Sequence, residues 1–279
     1  MPTIKKILFP VDFSARSIGA AHYVEFLAGR FDAEIMLLHV VENGTNTLAD
    51  ELLPARQIQL DGFLADELKY FTTLRTCVVG QDAAREIIDS ARSWQPDLVM
   101  MPTHGFGLYR RLLLGSVTAK VLHDLECPVW TDVHSEQAPA LEEITCRRVL
   151  CAIDLEDQSA CLLRWGAFLA GEYQADLRIV HAIPVAEGGL PGRYFDTEFV
   201  ASLAAEAKSR IATLQTSCGT KASVEIEAGD PAKVVADVAR AFAADLLIIG
   251  RHDSSGVGGH LRQNAYGILR DSPCPVISI

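Results

Sequence analysis

The sequence predicts an α/β protein of two tandem domains, each a five-stranded parallel sheet flanked by helices. Short, often β-branched apolar runs alternate with segments of helical spacing, which implies a parallel sheet with right-handed crossovers. The pattern occurs twice: Asp154 follows Asp12, and His181 follows His39, by the same 142 positions. A chain of 279 residues that is 49% hydrophobic has enough apolar side chains for two packed cores.

The first copy opens with the strand IKKILFPVD, residues 4–12, whose near-continuous apolar character suits a strand covered on both faces. Ser14 is a candidate N-cap, and Ala20, Ala21, Val24, Leu27 and Ala28 then fall on one helical face. The strand AEIMLLHVV follows at 33–41, a mostly helical segment at 47–72, and the strand TCVVG at 76–80. Asp82 opens a helix whose inner face carries Ile87, Ile88, Ala91 and Trp94, before the strand DLVMM at 97–101. Gly115-Ser116 precedes another helix-like run, and PVWTDV at 128–133 is the fifth strand. The second copy repeats the order with RRVLCAID, ADLRIVHAI, a helical segment at 195–217, SVEIEAG, DLLIIG and PVISI. The repeat spacing drifts to 148 at Asp97 and Asp245 and to 147 at the two Cys-Pro-Val triplets, as loop insertions between preserved elements produce. The polar segment 131–146 reads as a linker, so the expected domains are 1–135 and 146–279.

A formal net charge of -11 and a pI near 5.2 oppose a phosphate-tracking surface, which excludes nucleic acid as an expected partner. The apolar runs fall short of the ~20 residues that cross a bilayer, and the N-terminus lacks a signal peptide's apolar region. A cytoplasmic location with no membrane partner is therefore expected. The seven cysteines form no CxxC pair and no zinc-ligand spacing, and are expected to be free thiols.

In an open parallel sheet, ligands settle at the carboxyl ends of the strands, where the strand order reverses. Asp12 and the stretch Pro102 to Gly105 both lie at such ends. A glycine turn followed by a helix N-terminus exposes backbone N–H groups and the positive end of the helix dipole, so THGFG with GSVTAK suits phosphate. Ser116 adds a hydroxyl, and Asp12 suits a ribose hydroxyl, an adenine amine or a metal. Taken alone, Asp12 reads better as the cap of a turn. His39 and His181 occupy matching places in apolar strands and read as satisfied core residues. His104 has no carboxylate or nucleophile beside it in the sequence pattern that would make it an acid or base.

These motifs together resemble the universal stress protein family, in a member with two such domains in tandem, over nearly the whole chain. The features that carry the likeness are Pro10-Val11-Asp12, then Gly105, nine residues and Gly115-Ser116, and the late Pro-Val strand. Pro102 stands where the family pattern has its first glycine. The resemblance implies a Rossmann-like fold of the adenine nucleotide alpha hydrolase-like type that binds ATP with Mg or Mn. Pro10, Val11, Asp12 and the backbone of Val41 would hold adenine and ribose. Gly105, Gly115, Ser116, Val117 and Thr118 would hold the phosphates, with Thr103 and His104 lining the same turn.

The second copy keeps Asp154 and Gly250 but has Asp253 and Gln263-Asn264 where phosphate-binding glycines would fall, so one nucleotide per chain is expected, in the N-terminal domain. No lysine-bearing Walker loop is present, and binding rather than turnover is the expectation. The alternatives are a nucleotide hydrolase or transferase of the same fold, and a dimeric scaffold that binds no nucleotide. By resemblance, the two domains would pair as a pseudo-dimer through their final strands, and whole chains would form a homodimer.

Overall fold

The structure, a computed structural model, describes residues 2–42, 49–103, 114–184, 197–251 and 263–279. It comprises two compact units, 3–144 and 145–279. In the first, β1 (Lys6–Pro10), α1 (Ala15–Phe31), β2 (Glu34–Glu42), α2 (Ala49–Gly62), β3 (Thr73–Gly80), α3 (Ala83–Trp94), β4 (Leu98–Pro102), α4 (Ser116–Asp124) and β5 (Val129–Asp132) follow one another. The strands lie in the order β3-β2-β1-β4-β5, all parallel. The second unit holds β6 (Arg148–Ala152), α5 (Ser159–Tyr173), β7 (Asp176–Pro184), α6 (Thr197–Cys218), β8 (Ser223–Gly229), α7 (Pro231–Phe242), β9 (Leu246–Ile249), α8 (Gln263–Asp271) and β10 (Val276–Ser278). Its order, β8-β7-β6-β9-β10, repeats the first.

The apolar runs become strands because helices cover them on both faces. Every residue of β4 and of β9 is buried, as are Ile7, Leu8 and Phe9 of β1. Each such side chain contributes about 1.5–3 kcal/mol relative to exposure. The helices start where the sequence placed them, and Ser14 is the expected cap. Ser14 accepts from the Ser17 N–H, and Asp82 accepts from the N–H groups of Ala84 and Arg85. The repeated Asp-Leu at the start of β4 and β9 has a structural task. Asp97 Oδ2 accepts from the Lys5 and Lys6 N–H groups at 2.7 and 3.0 Å, and Asp245 Oδ2 from those of Arg147 and Arg148 at 2.7 and 2.9 Å. One carboxylate per unit thus ties the entry of the first strand to that of its neighbour.

Two segments differ from the sequence expectation. The helix expected over 47–72 ends at Gly62, where Arg75 on β3 donates to the carbonyls of Leu60, Phe63 and Leu64 and closes the helix end. The segment expected to be a linker is packed within the first unit. Two short 3-10 turns, Ser135–Gln137 and Leu141–Glu143, lie along α1, with Arg16 paired to Glu136 at 3.3 Å and His22 Nδ1 2.8 Å from the Pro139 carbonyl oxygen. Among the described residues, no helix is long and apolar enough to cross a membrane.

Candidate functional site

In the first unit the chain steps from β1 through β2 to β3 on one side, then returns to place β4 and β5 on the other. The order therefore reverses between β1 and β4, and the crevice beyond their carboxyl ends is the position where such sheets hold ligands. Leu8 pairs with Val99, and continuing that register sets Asp12 beside Thr103.

On the β1 side, Asp12 Oδ1 accepts from the Ser14 N–H at 3.0 Å and from Ser17 Oγ at 2.7 Å. It does cap the turn. Oδ2 takes no part in those bonds, and among the described residues no donor is found for it. Asp154 makes the same contacts, with the Glu156 N–H at 2.9 Å and Ser159 Oγ at 3.2 Å. The sequence carried this sign in both copies, as a serine five residues after each aspartate. The intervening residues Phe13 and Leu155 both have positive φ, 62° and 66°, so this backbone shape belongs to the repeat rather than to one site.

His39 Nδ1 lies 2.8 Å from the Val11 carbonyl oxygen, and His181 Nδ1 lies 2.9 Å from that of Ile153. A carbonyl only accepts, so Nδ1 carries the proton and each ring ties the end of the first strand to the second. Burial lowers the His39 pKa, against the opposing effect of the Val11 carbonyl. Both histidines are structural, as expected.

Val41 is not where the resemblance would have it. Glu34 donates to Lys5, and Leu38 accepts from Val11, so the even-numbered residues of β2 turn their backbone groups toward β1. Ile35 donates to Thr72, so the odd-numbered residues, Val41 among them, face β3. β2 overruns β1, and it is the backbone of Val40 that borders the crevice beyond Val11. Pro10 and Val11 are buried at the carboxyl end of β1.

On the β4 side, two hydrogen bonds join the end of the strand to the start of α4. The Gly115 N–H donates to the Thr103 carbonyl at 2.8 Å, and Thr118 Oγ1 donates to the Pro102 carbonyl at 3.1 Å. The Thr103 N–H and Oγ1 both donate to the Asp132 carbonyl, at 3.2 and 3.1 Å. The hydroxyls of Thr103 and Thr118 thus hold backbone, and both side chains are buried. What α4 offers a ligand are the N–H groups of Ser116, Val117 and Thr118, which open the helix beyond reach of its own carbonyls, and the exposed Ser116 side chain. Gly115 is the N-cap, with φ −59° and ψ 145° and no side-chain capping bond. Any residue adopts those angles, so the backbone conformation does not require a glycine here. His104 and Gly105 lie outside the described residues.

Comparison with known proteins settles the family. The Universal stress protein family model matches residues 3–132 and again 145–279. The chain belongs to the universal stress protein family. It is similar to a universal stress protein of Mycolicibacterium smegmatis, 26% identical over 271 residues that cover 91% of this chain and 90% of that one. It is also similar to Universal stress protein MJ0531 of Methanocaldococcus jannaschii, 32% identical over 135 residues, 45% of this chain and 79% of that one. A universal stress protein structure from Archaeoglobus fulgidus shares the fold with a TM-score of 0.73 at 22% identity, over 98% of this chain and 97% of that one.

The second universal stress protein unit repeats the strand order with different residues at the matching positions. α8 opens with Gln263 and Asn264 in place of Gly115 and Ser116, and Arg251, fully buried, takes the place of Thr103. Asp253 lies outside the described residues. Among the described residues of the chain no cluster of three His, Cys, Asp or Glu side chains could hold a metal ion.

Proposed function

We propose that the first unit binds ATP in the crevice between β1 and β4 and holds it without turnover, as a regulatory protein of the stress response, while the second unit takes no nucleotide. The observation that supports this reading is Gly115: an N-cap whose backbone needs no glycine, at the start of a helix whose first three N–H groups lie beyond reach of its own carbonyls. An anion there gains both the hydrogen bonds and the positive helix end. Asp12 Oδ2 and the Val40 backbone supply polar partners for the sugar and base, and Val11 supplies an apolar floor. With no such cluster among the described residues, Mg or Mn would arrive on the phosphates, with Asp12 Oδ2 as the nearby carboxylate oxygen. The homodimer expected from the resemblance belongs to the same proposal and is checked by the mass in solution.

Calorimetric titration of the intact chain with ATP and Mg, beside a phosphate-release assay, tests the reading. Asp12→Asn is the informative variant, because it keeps Oδ1 for Ser14 and Ser17 while turning the second oxygen into a donor. The expected result is binding by the wild type, at least tenfold weaker binding by Asp12→Asn, and no steady phosphate release. Release above background that Asp12→Asn abolishes would make the protein an enzyme instead, and no binding by the wild type would leave a scaffold.

A further inference from the structure

Gly19 sits inside α1, in its second turn, where glycine weakens a helix and alanine would strengthen it. Its φ is helical, so conformation does not explain it. A Cβ at this position would stand 1.7 Å from the Ser135 carbonyl oxygen and 3.2 Å from Ala138 Cβ. The glycine is a notch that admits the segment 133–144. The second unit has an exposed Cys161 at the matching place on α5, so the notch is not a requirement of the fold.

The segment seated in the notch touches both walls of the crevice. On one side it lies against α1, the helix whose first turn holds Asp12 through Ser14 and Ser17, and Glu136 pairs with Arg16 in that same turn. On the other, Asp132, the last residue of β5, leads into the segment. Its carbonyl oxygen accepts from the Thr103 N–H, from Thr103 Oγ1 and from Ser135 Oγ at 3.0 Å, and its carboxylate Oδ1 accepts from the His134 N–H at 2.9 Å. Thr103 in turn holds the Gly115 N–H. A continuous path of hydrogen bonds therefore runs from the turn at Ser135 through Asp132 and Thr103 to the start of α4.

From this geometry we infer that residues 133–144 form a strap that positions the nucleotide crevice, with Gly19 as its seat and Ser135 and Asp132 as positioning residues that act through Thr103 and Gly115. The inference rests on the nucleotide reading above. Because the strap fixes both walls, ligand and strap stabilise each other, and by linkage the effect is reciprocal: ATP tightens the strap, and unseating the strap weakens ATP.

Amide hydrogen exchange of peptides covering 133–144, with ATP and Mg titrated in parallel, tests this on the intact chain. In the wild type, ATP is expected to slow exchange across the strap severalfold. Gly19→Ala should keep the helix content of α1, speed strap exchange in the absence of nucleotide, and weaken ATP binding about tenfold. Glu136→Lys, an exposed change that leaves the packing of α1 intact, should do the same to a smaller extent, about two- to threefold. An unseated strap in Gly19→Ala with wild-type ATP affinity would overturn the inference, as would unchanged strap exchange in both variants. A wild type that binds no ATP overturns the nucleotide reading instead, and is recognised before either variant is compared.

Discussion

Replacing Gly115 by valine separates what α4 does for the fold from what it does for a ligand. The backbone at this N-cap, φ −59° and ψ 145°, lies in a region valine favours, and no side-chain cap is lost because none is present. The cost to stability is that of a poorer N-cap, about 1 kcal/mol. Binding should suffer far more. A branched side chain here stands over the N–H groups of Ser116, Val117 and Thr118, and an anion pushed off two of them loses about 1.5–3 kcal/mol for each. The sum, about 3–6 kcal/mol, is a loss of roughly 10²- to 10⁴-fold in affinity. Calorimetry with ATP and Mg, paired with thermal unfolding of the ligand-free chain, reads both quantities. Less than a threefold loss of affinity in a folded variant would refute the argument that the glycine clears a path to the helix N-terminus.

Thr118→Val removes the donor to the buried Pro102 carbonyl and should destabilise the first unit by about 1–3 kcal/mol, seen as a lower unfolding midpoint for its transition. Burial raises the Asp132 pKa above its ordinary 3.8, despite the His134 N–H it accepts. The native state then holds this proton more tightly than the unfolded chain, so this group's contribution to stability falls as pH rises above 3.8. Asp132→Asn keeps an acceptor for His134 and should flatten that slope, a gain over wild type at pH 7 that vanishes near pH 4; urea unfolding at the two values checks it. The exposed Cys161 should react first with a thiol reagent, whereas Cys146 and Cys151, both pushed up to about 12 by burial, should react only on unfolding.

The fold was legible because the apolar runs are long enough to be covered on both faces and because the repeat fixes which elements correspond. The caps at Ser14 and Asp82 were legible for a local reason: a short polar side chain before a periodic apolar face has little else to do. Around the crevice, sequence placed Asp12 and the stretch Pro102 to Gly105 at strand ends and Gly115 ahead of a helix, but it could not assign Val41, because which strand a residue's backbone faces depends on a register one residue wide. Nor did composition show that Thr103 and Thr118 spend their hydroxyls on backbone. The strap went unread because 131–146 is polar and lacks periodicity, the usual signs of a linker. The available signal was Gly19 inside the helix where the second copy has Cys161, a cost to α1 that a close neighbour explains.

The most direct test of the account is to count the nucleotide. Native mass measurement of the intact chain with ATP and Mg, alongside denaturation of protein purified from cells to identify any molecule it releases, reads the site without assuming a mechanism. The account predicts one ATP per chain, lost in Gly115→Val and kept when Asn264 is replaced by valine. Two equivalent nucleotides per chain, none, or one that survives Gly115→Val would contradict it.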